Sequence, residues 1–236
     1  VDKITKLILD DNKNGYEELR SISNNKLELI EMYDISHLAG DAQVGVKIAY
    51  KNGLKEKKLY RKYKIKKAAS ADEYGSLNEM LERRITRMIR DNEKTPNLII
   101  LDGGKAQVKI ASEILKKYGL YDDIMLLGLV KDKKHNTRAM INKNNKEIPL
   151  NRSSKLYKFL YELQEEVHRF AITFHHKSRS NSMTISALDN IYGLGPKRRK
   201  LLIEKYDTVA NIKLATKDEL KELGIPEKII IHLNKL

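Results

Sequence analysis

Three residues, far apart in the chain, are of the types that hold hard metal ions or move protons: Asp34, Asp102 and His168. Asp102 ends the run Asn97-Leu98-Ile99-Ile100-Leu101, whose four unbroken apolar residues read as a short strand buried on both faces. Gly103 and Gly104 then permit a sharp turn, and the stretch from Lys105 repeats apolar residues at helical spacing until Gly119. Strand, turn and helix put Asp102 at the carboxyl edge of a sheet, where α/β proteins keep their ligand sites. Asp34 is delivered in the same way near the end of Leu27-Glu-Leu-Ile-Glu-Met-Tyr-Asp-Ile-Ser-His37. A single Asp before a Gly pair is more often a helix cap, so the site reading depends on other carboxylates converging there. The chain has no cysteine, which leaves oxygen and imidazole as metal ligands and favours magnesium or manganese.

Competing readings of these residues are weaker. Gly103-Gly104-Lys105 lacks the Ser or Thr and the upstream Gly of a Walker loop, and no Gly-x-Gly-x-x-Gly opens the helix. Neither ATP nor a dinucleotide is implied. Glu165-x-x-His168 occurs once, whereas a di-iron bundle needs two such motifs. His37, His135, His175 and His176 have no spacing that demands a ligand role and are expected at surface or structural positions.

The elements that must position the three residues follow from periodicity. Residues 1–25 are polar and weakly periodic and read as a residual tail. Leu27 to His37, Gln43 to Tyr50 and Glu56 to Lys66 read as three antiparallel strands, the last two joined by an Asn52-Gly53 hairpin. A helix beginning near Asp72 carries Leu77, Met80, Leu81, Ile85 and Met88 on one face and is stopped by Pro96. Ile124 to Val130 is a further buried strand, and Thr137–Asn142 with Lys146–Leu150 is a small hairpin. The order predicts an α/β layer with a mixed sheet. A helix over 153–176 has Leu156, Leu160, Leu163, Val167 and Phe170 as its stripe, with His168 on the flank beside Tyr161, Gln164 and His175.

Residues 177–186, rich in Ser and Asn, have the composition of a flexible linker. Beyond it, over 187–236, Leu188 to Ile203 reads as a helix, a Gly193-Leu194-Gly195 turn and a helix opened by Pro196. Such a helix-hairpin-helix offers backbone amides to a phosphate, and Lys197, Arg198 and Arg199 add charge without reading bases. Leu223-Gly-Ile-Pro-Glu227 resembles a second, degenerate hairpin, in which Pro226 has removed one donor.

The 46 Lys and Arg against 32 Asp and Glu, a formal charge of +14, favour a polyanionic partner, of which nucleic acid is the usual one. No long apolar span, signal peptide or lipidation motif points to a membrane, so a cytoplasmic protein is expected. The chain opens on Val1, as a fragment of a longer protein would.

Together these stretches resemble the C-terminal half of the UvrC family, the incision subunit of bacterial nucleotide excision repair. The resemblance runs from about Leu29 to the end and rests on Tyr33-Asp34-Ile-Ser-His37, Asp72-Glu73-Tyr74, Leu101-Asp102-Gly-Gly-Lys-Ala-Gln107, Glu166-Val-His168-Arg-Phe-Ala171 and Gly193-Leu-Gly195-Pro-Lys-Arg. It implies a ribonuclease-H-like endonuclease domain over 26–176 and a tandem helix-hairpin-helix domain over 187–236, cutting 5′ to a lesion. Asp34, Asp102 and His168 would be the metal-binding catalytic residues, with Glu73 as a further acidic position, where the family's usual Asp is lengthened by a methylene. The implied partners are damaged double-stranded DNA or a single-strand/double-strand junction and the UvrB–DNA complex, whose docking segment this sequence lacks; the chain itself is expected to act as a monomer. Lys105, Gln107, Lys131 and Arg169 are candidate substrate contacts or plain surface charges. His168 is left as metal ligand or as general acid or base. The alternative function is a non-catalytic DNA-binding scaffold.

Overall fold

The computed structural model describes residues 3–23, 27–37, 43–68 and 72–233, with backbone alone for 3–12, 37 and 174–186. The side chains of His37, His175 and His176 therefore lie outside the described residues. In chain order the elements are α1 (Lys3–Ile22), β1 (Leu29–His37), β2 (Gln43–Lys51), β3 (Leu54–Lys55), a 3-10 turn (Lys57–Leu59), β4 (Arg61–Lys64), α2 (Glu73–Arg90), β5 (Leu98–Leu101), α3 (Lys105–Lys117), β6 (Met125–Lys131), β7 (Thr137–Asn142), β8 (Glu147–Pro149), α4 (Lys155–Asp189), α5 (Pro196–Tyr206), α6 (Val209–Leu214), α7 (Lys217–Glu222) and α8 (Glu227–Leu233). They divide into two compact units, Val1–Ala171 and Ile172–Leu236.

In the first unit eight strands form one mixed sheet, ordered β3-β2-β1-β5-β6-β7-β8, with β4 also pairing β2. β5 runs parallel to both β1 and β6, and all four of its side chains are buried, as its unbroken apolar run requires. The other pairings are antiparallel. One face carries α2 and α3, packed through Leu77, Met80, Leu81, Ile85, Val108, Ile114 and Leu115 against Tyr33, Ile99 and Leu101. Towards the other face, Phe159 of α4 meets the rings of Tyr16 and Tyr50 edge-on. Strand period two decides which residue faces which layer: Glu31 meets Arg84 of α2, whereas Asp34 meets His168 of α4.

Three expectations are corrected. The residual tail expected over 1–25 holds a packed helix: in α1 Tyr16 and Leu19 are buried, Gly15 lies so close to Lys155 and Phe159 that a Cβ would collide, and Glu18 accepts the Leu156 amide at 3.1 Å. Among its described side chains, the apolar ones that pack inward are Tyr16 and Leu19. The strand expected over Glu56 to Lys66 is broken by the 3-10 turn, which lets Tyr60 turn inward to donate to Glu166 at 3.1 Å. Finally, 177–186 continues α4 as helical backbone. No Gly or Pro occurs between Arg152 and Tyr192, so only weak propensity opposed the helix there.

The second unit is all-helical, its core built from Leu188, Ile191, Leu194, Leu202, Ile212, Leu220, Ile225, Ile229, Ile230 and Leu233. Gly193 (φ 83°) and Gly224 (φ 71°) make left-handed turns before α5 and α8. A capping box of Thr216 and Glu219 opens α7.

Beneath α2 lies an ion cluster centred on the fully buried Glu31. Glu31 accepts Lys47 Nζ at 2.5 Å and Arg84 Nη2 at 2.8 Å, and Arg84 Nη1 reaches Glu93 at 2.7 Å. Burial pushes the Glu31 carboxyl up, but Lys47 and Arg84 outweigh it and hold it below its ordinary 4.5. Glu31→Ala strands the buried Lys47, leaves Arg84 with Glu93 alone, and should cost about 3–5 kcal/mol in urea unfolding. Because the folded-state value is depressed, the contribution is complete above about pH 4.5 and is lost as pH falls through that lower value. Acid unfolding of wild type and Glu31→Gln should therefore converge towards low pH; parallel curves would exclude Glu31 from the acid-labile set.

Candidate metal centre

Asp34 and Asp102 meet because β1 and β5 are parallel neighbours. Tyr33 pairs with Leu101, and the Asp102 amide donates to the Tyr33 carbonyl at 3.1 Å, so the two carboxylates leave adjacent strands at the same edge. α4 brings the third residue. With Leu156, Leu160, Leu163 and Val167 buried, its flank carries His168 between the aspartates. Nδ1 lies 3.4 Å from Asp34 Oδ2, and Nε2 lies 3.2 Å from Asp102 Oδ2. One ligand atom from each of the three falls within 4.8 Å of the others.

Asp102 is the most enclosed of the three, its side chain 2 % exposed against 13 % for Asp34 and 38 % for His168. Lys131, the last residue of β6, donates to its Oδ2 at 2.9 Å. Gln164, one turn before His168, donates to Oδ1 at 2.6 Å and accepts from Thr137 Oγ1 at 2.8 Å, which fixes the amide's orientation. Burial pushes the Asp102 carboxyl up, yet His168 and Lys131 outweigh it and hold the carboxyl below its ordinary range. Hydrogen bonds to Asp102 and then to Asp34 push the His168 imidazole up to about 10. His168 thus stands between the two carboxylates, and the Lys131 ammonium stands beside the deeper one. Two carboxylates and an imidazole, with no sulfur, also suit a hard divalent cation such as magnesium or manganese.

Of the expected residues, Glu73 lies outside this three-residue cluster among the described residues; the Gln107 amide donates to it. That amide also fills the space a Cβ on Gly103 would need, so Gln107 links the start of α2 to the turn that follows Asp102. Lys105 is exposed. Arg169 is committed to Glu166 at 2.6 Å, and Lys131 to Asp102. Sequence reasoning placed Gln164 on the His168 line but gave it no role; the i, i+4 spacing of two polar residues beside an apolar stripe was the available signal.

In the second unit Gly195 caps α5 and Lys197 is exposed at its first turn. Arg198 Nε donates to the Gly224 carbonyl at 2.9 Å, tying α5 to the second hairpin, and Arg199 pairs with Asp189. Among the described residues no helix is long and apolar enough to cross a membrane.

A family model, the UvrC RNase H endonuclease domain, matches residues 20–172, which include all three clustered residues. The chain belongs to the UvrC family. UvrABC system protein C of Finegoldia magna is 44 % identical over 224 residues, 92 % of this chain and 36 % of that protein. That of Streptococcus gordonii is 41 % identical over 202 residues, 85 % of this chain and 33 % of that protein. The chain thus spans about a third of the length of these UvrC relatives. Among solved structures, Ciona intestinalis Endonuclease V in complex with an inosine-containing DNA aligns over 75 % of this chain and 99 % of that one, with a TM-score of 0.41 and 10 % identity. That likeness is too low to extend to function.

The Asp102 turn of this UvrC-family chain is seated on Gly128 of β6. A Cβ there would strike the Gly103 carbonyl oxygen, lie 2.6 Å from Val108 Cγ2 and 3.0 Å from Ile141 Cγ2. Gly128→Ala should cost about 1–3 kcal/mol in urea unfolding and displace the turn, because backbone cannot move aside as a side-chain end can. Gly104→Ala, with nothing within 4 Å of the new Cβ, should be close to neutral in the same measurement.

Proposed function

We propose that this chain is a divalent-metal-dependent DNA endonuclease that makes the incision 5′ to a lesion in nucleotide excision repair. The observation that carries the reading is the convergence of Asp34, Asp102 and His168 within 4.8 Å, inside the stretch matched to the UvrC RNase H endonuclease domain. Those three residues would hold magnesium or manganese, which supplies a water of lowered pKa and neutralises charge developing on phosphorus. Gln164 orients Asp102 by holding Oδ1, so that Oδ2 faces His168 and Lys131. Lys131 stands beside the same oxygen and can exchange its carboxylate for a phosphate oxygen when substrate arrives. Glu73 acts through Gln107, as a positioning group for the Gly103 turn.

The division proposed is an endonuclease domain that extends the expected 26–176 to take in α1, and a tandem helix-hairpin-helix domain over 187–236, the latter binding duplex DNA without reading sequence. Support comes from Gly193 and Gly195 before α5, its first-turn amides without intrahelical acceptors and the exposed Lys197. Arg198 and Arg199 contribute from their ties to Gly224 and Asp189. Lys105 and Arg169 are assigned to the substrate face of the first unit, Arg169 after release from Glu166. The partner would be a UvrB–DNA complex, engaged by a single copy of the chain.

Manganese-dependent nicking of a labelled duplex containing a bubble tests the reading. Wild type should nick with manganese and stop with EDTA, while Asp102→Asn and His168→Ala should bind the DNA and lose at least about 10²-fold in rate. Undiminished nicking by Asp102→Asn would overturn the assignment; binding without any nicking, even with the complementary half and UvrB supplied, would favour the scaffold reading. Lys197→Ala should lower the slope of log affinity against log salt by about one, as expected when one phosphate contact is lost. An unchanged slope would remove Lys197 from the DNA interface.

A further inference from the structure

The flank of α4 that carries Gln164 and His168 continues towards the start of the helix with Tyr161 and Tyr157. At about 100° per residue these tyrosines lie roughly 20° to either side of the His168 direction, about 10 and 16 Å from it along the axis. Their rings are stacked, 6.3 Å between centroids and 12° from parallel. They are not core residues: Leu156, Phe159, Leu160 and Leu163 fill the interior beside them, whereas Tyr161 is 50 % exposed and Tyr157 half-buried. Lys155 and Lys158 are exposed on the same two turns, and the first turn of α4 has no acidic residue. A small aromatic surface flanked by these two lysines and by the exposed Glu165, which is hydrogen-bonded to Tyr161, and in line with a cluster suited to a phosphate-bound metal, fits a nucleobase better than an apolar protein partner, which would need a larger patch.

We propose that Tyr157 and Tyr161 form a stacking platform for an unpaired base on the strand whose phosphate reaches Asp34, Asp102 and His168. The inference rests on the endonuclease reading and deepens it: the platform gives preference for DNA with a single-stranded segment, without preference for sequence, because every base has a flat face.

The test compares two DNAs by fluorescence anisotropy: a duplex with a single-stranded arm containing 2-aminopurine, and a fully paired duplex of equal length. Tyr161→Ala should weaken binding of the armed DNA about tenfold and abolish quenching of the 2-aminopurine, with little change for the paired duplex. Its salt slope should match wild type, since no phosphate contact is lost. Tyr161→Phe should retain both properties, and Tyr161→Leu, which keeps apolar bulk without the ring, should lose the quenching. Equal weakening on both DNAs, no weakening, or Leu performing as well as Phe would overturn the platform. Wild type that binds neither DNA would overturn the endonuclease reading as well, whereas wild type that binds and an alanine variant that binds the armed DNA equally would overturn the platform alone.

Discussion

Two carboxylates within 4.8 Å of one another repel, by about 3.5 kcal/mol at the effective dielectric of a protein surface, and the surroundings of Asp34 and Asp102 answer that repulsion. His168 spans both, Lys131 meets the deeper one, and Gln164 donates to its remaining oxygen. These partners come from α4 and β6, so one electrostatic requirement draws together residues separated by more than sixty positions in sequence. The same arrangement sets what a cation would meet there: entering between the aspartates, it would compete with His168 for the same carboxylate oxygens.

What holds the carboxylates so close is packing. The parallel pairing of β1 with β5 fixes Asp34 and Asp102 at one edge, and β5 can sit between two parallel neighbours because every side chain on it is apolar. α4 is kept in register by its buried stripe and by α1, whose Gly15 admits the helix at close range. On the opposite face of the sheet, Glu31 of β1, Lys47 of β2 and Arg84 of α2 form a second charged cluster, sharing β1 with the first. Strand alternation separates the two: one resolves its charges internally, and the other leaves His168 partly open to solvent.

Much of this was legible in the sequence where a local pattern coincides with a global role. The four-residue run before Asp102 announced a central strand, and the α4 stripe placed His168 on a flank, because burial writes periodicity directly into residue types. The motif resemblance to the UvrC family picked out Asp34, Asp102 and His168 as a group, and the geometry brings them together. Less visible were features that depend on partners distant in sequence. α1 docks through contacts to α4 far along the chain, Glu18 to the Leu156 amide and Gly15 to Lys155 and Phe159, which no local pattern announces. The polar composition of 177–186 suggested a break that backbone geometry does not need, since neither Gly nor Pro interrupts the helix. Lys131 and Arg169 read as substrate contacts or plain surface charges, and only the folded chain reveals the carboxylates that hold them.

The sheet finishes at both ends in very short strands. On one side β3 has two residues and β4 follows as Arg-Lys-Tyr-Lys; on the other, β8 has three and closes with Pro149. Proline lacks an amide donor, and rows of like charge repel an approaching copy, so neither border templates a further strand. The apolar strands between them, which would be hazardous if exposed, are shielded along both margins. Addition of a second copy to either border of the folded sheet is accordingly disfavoured.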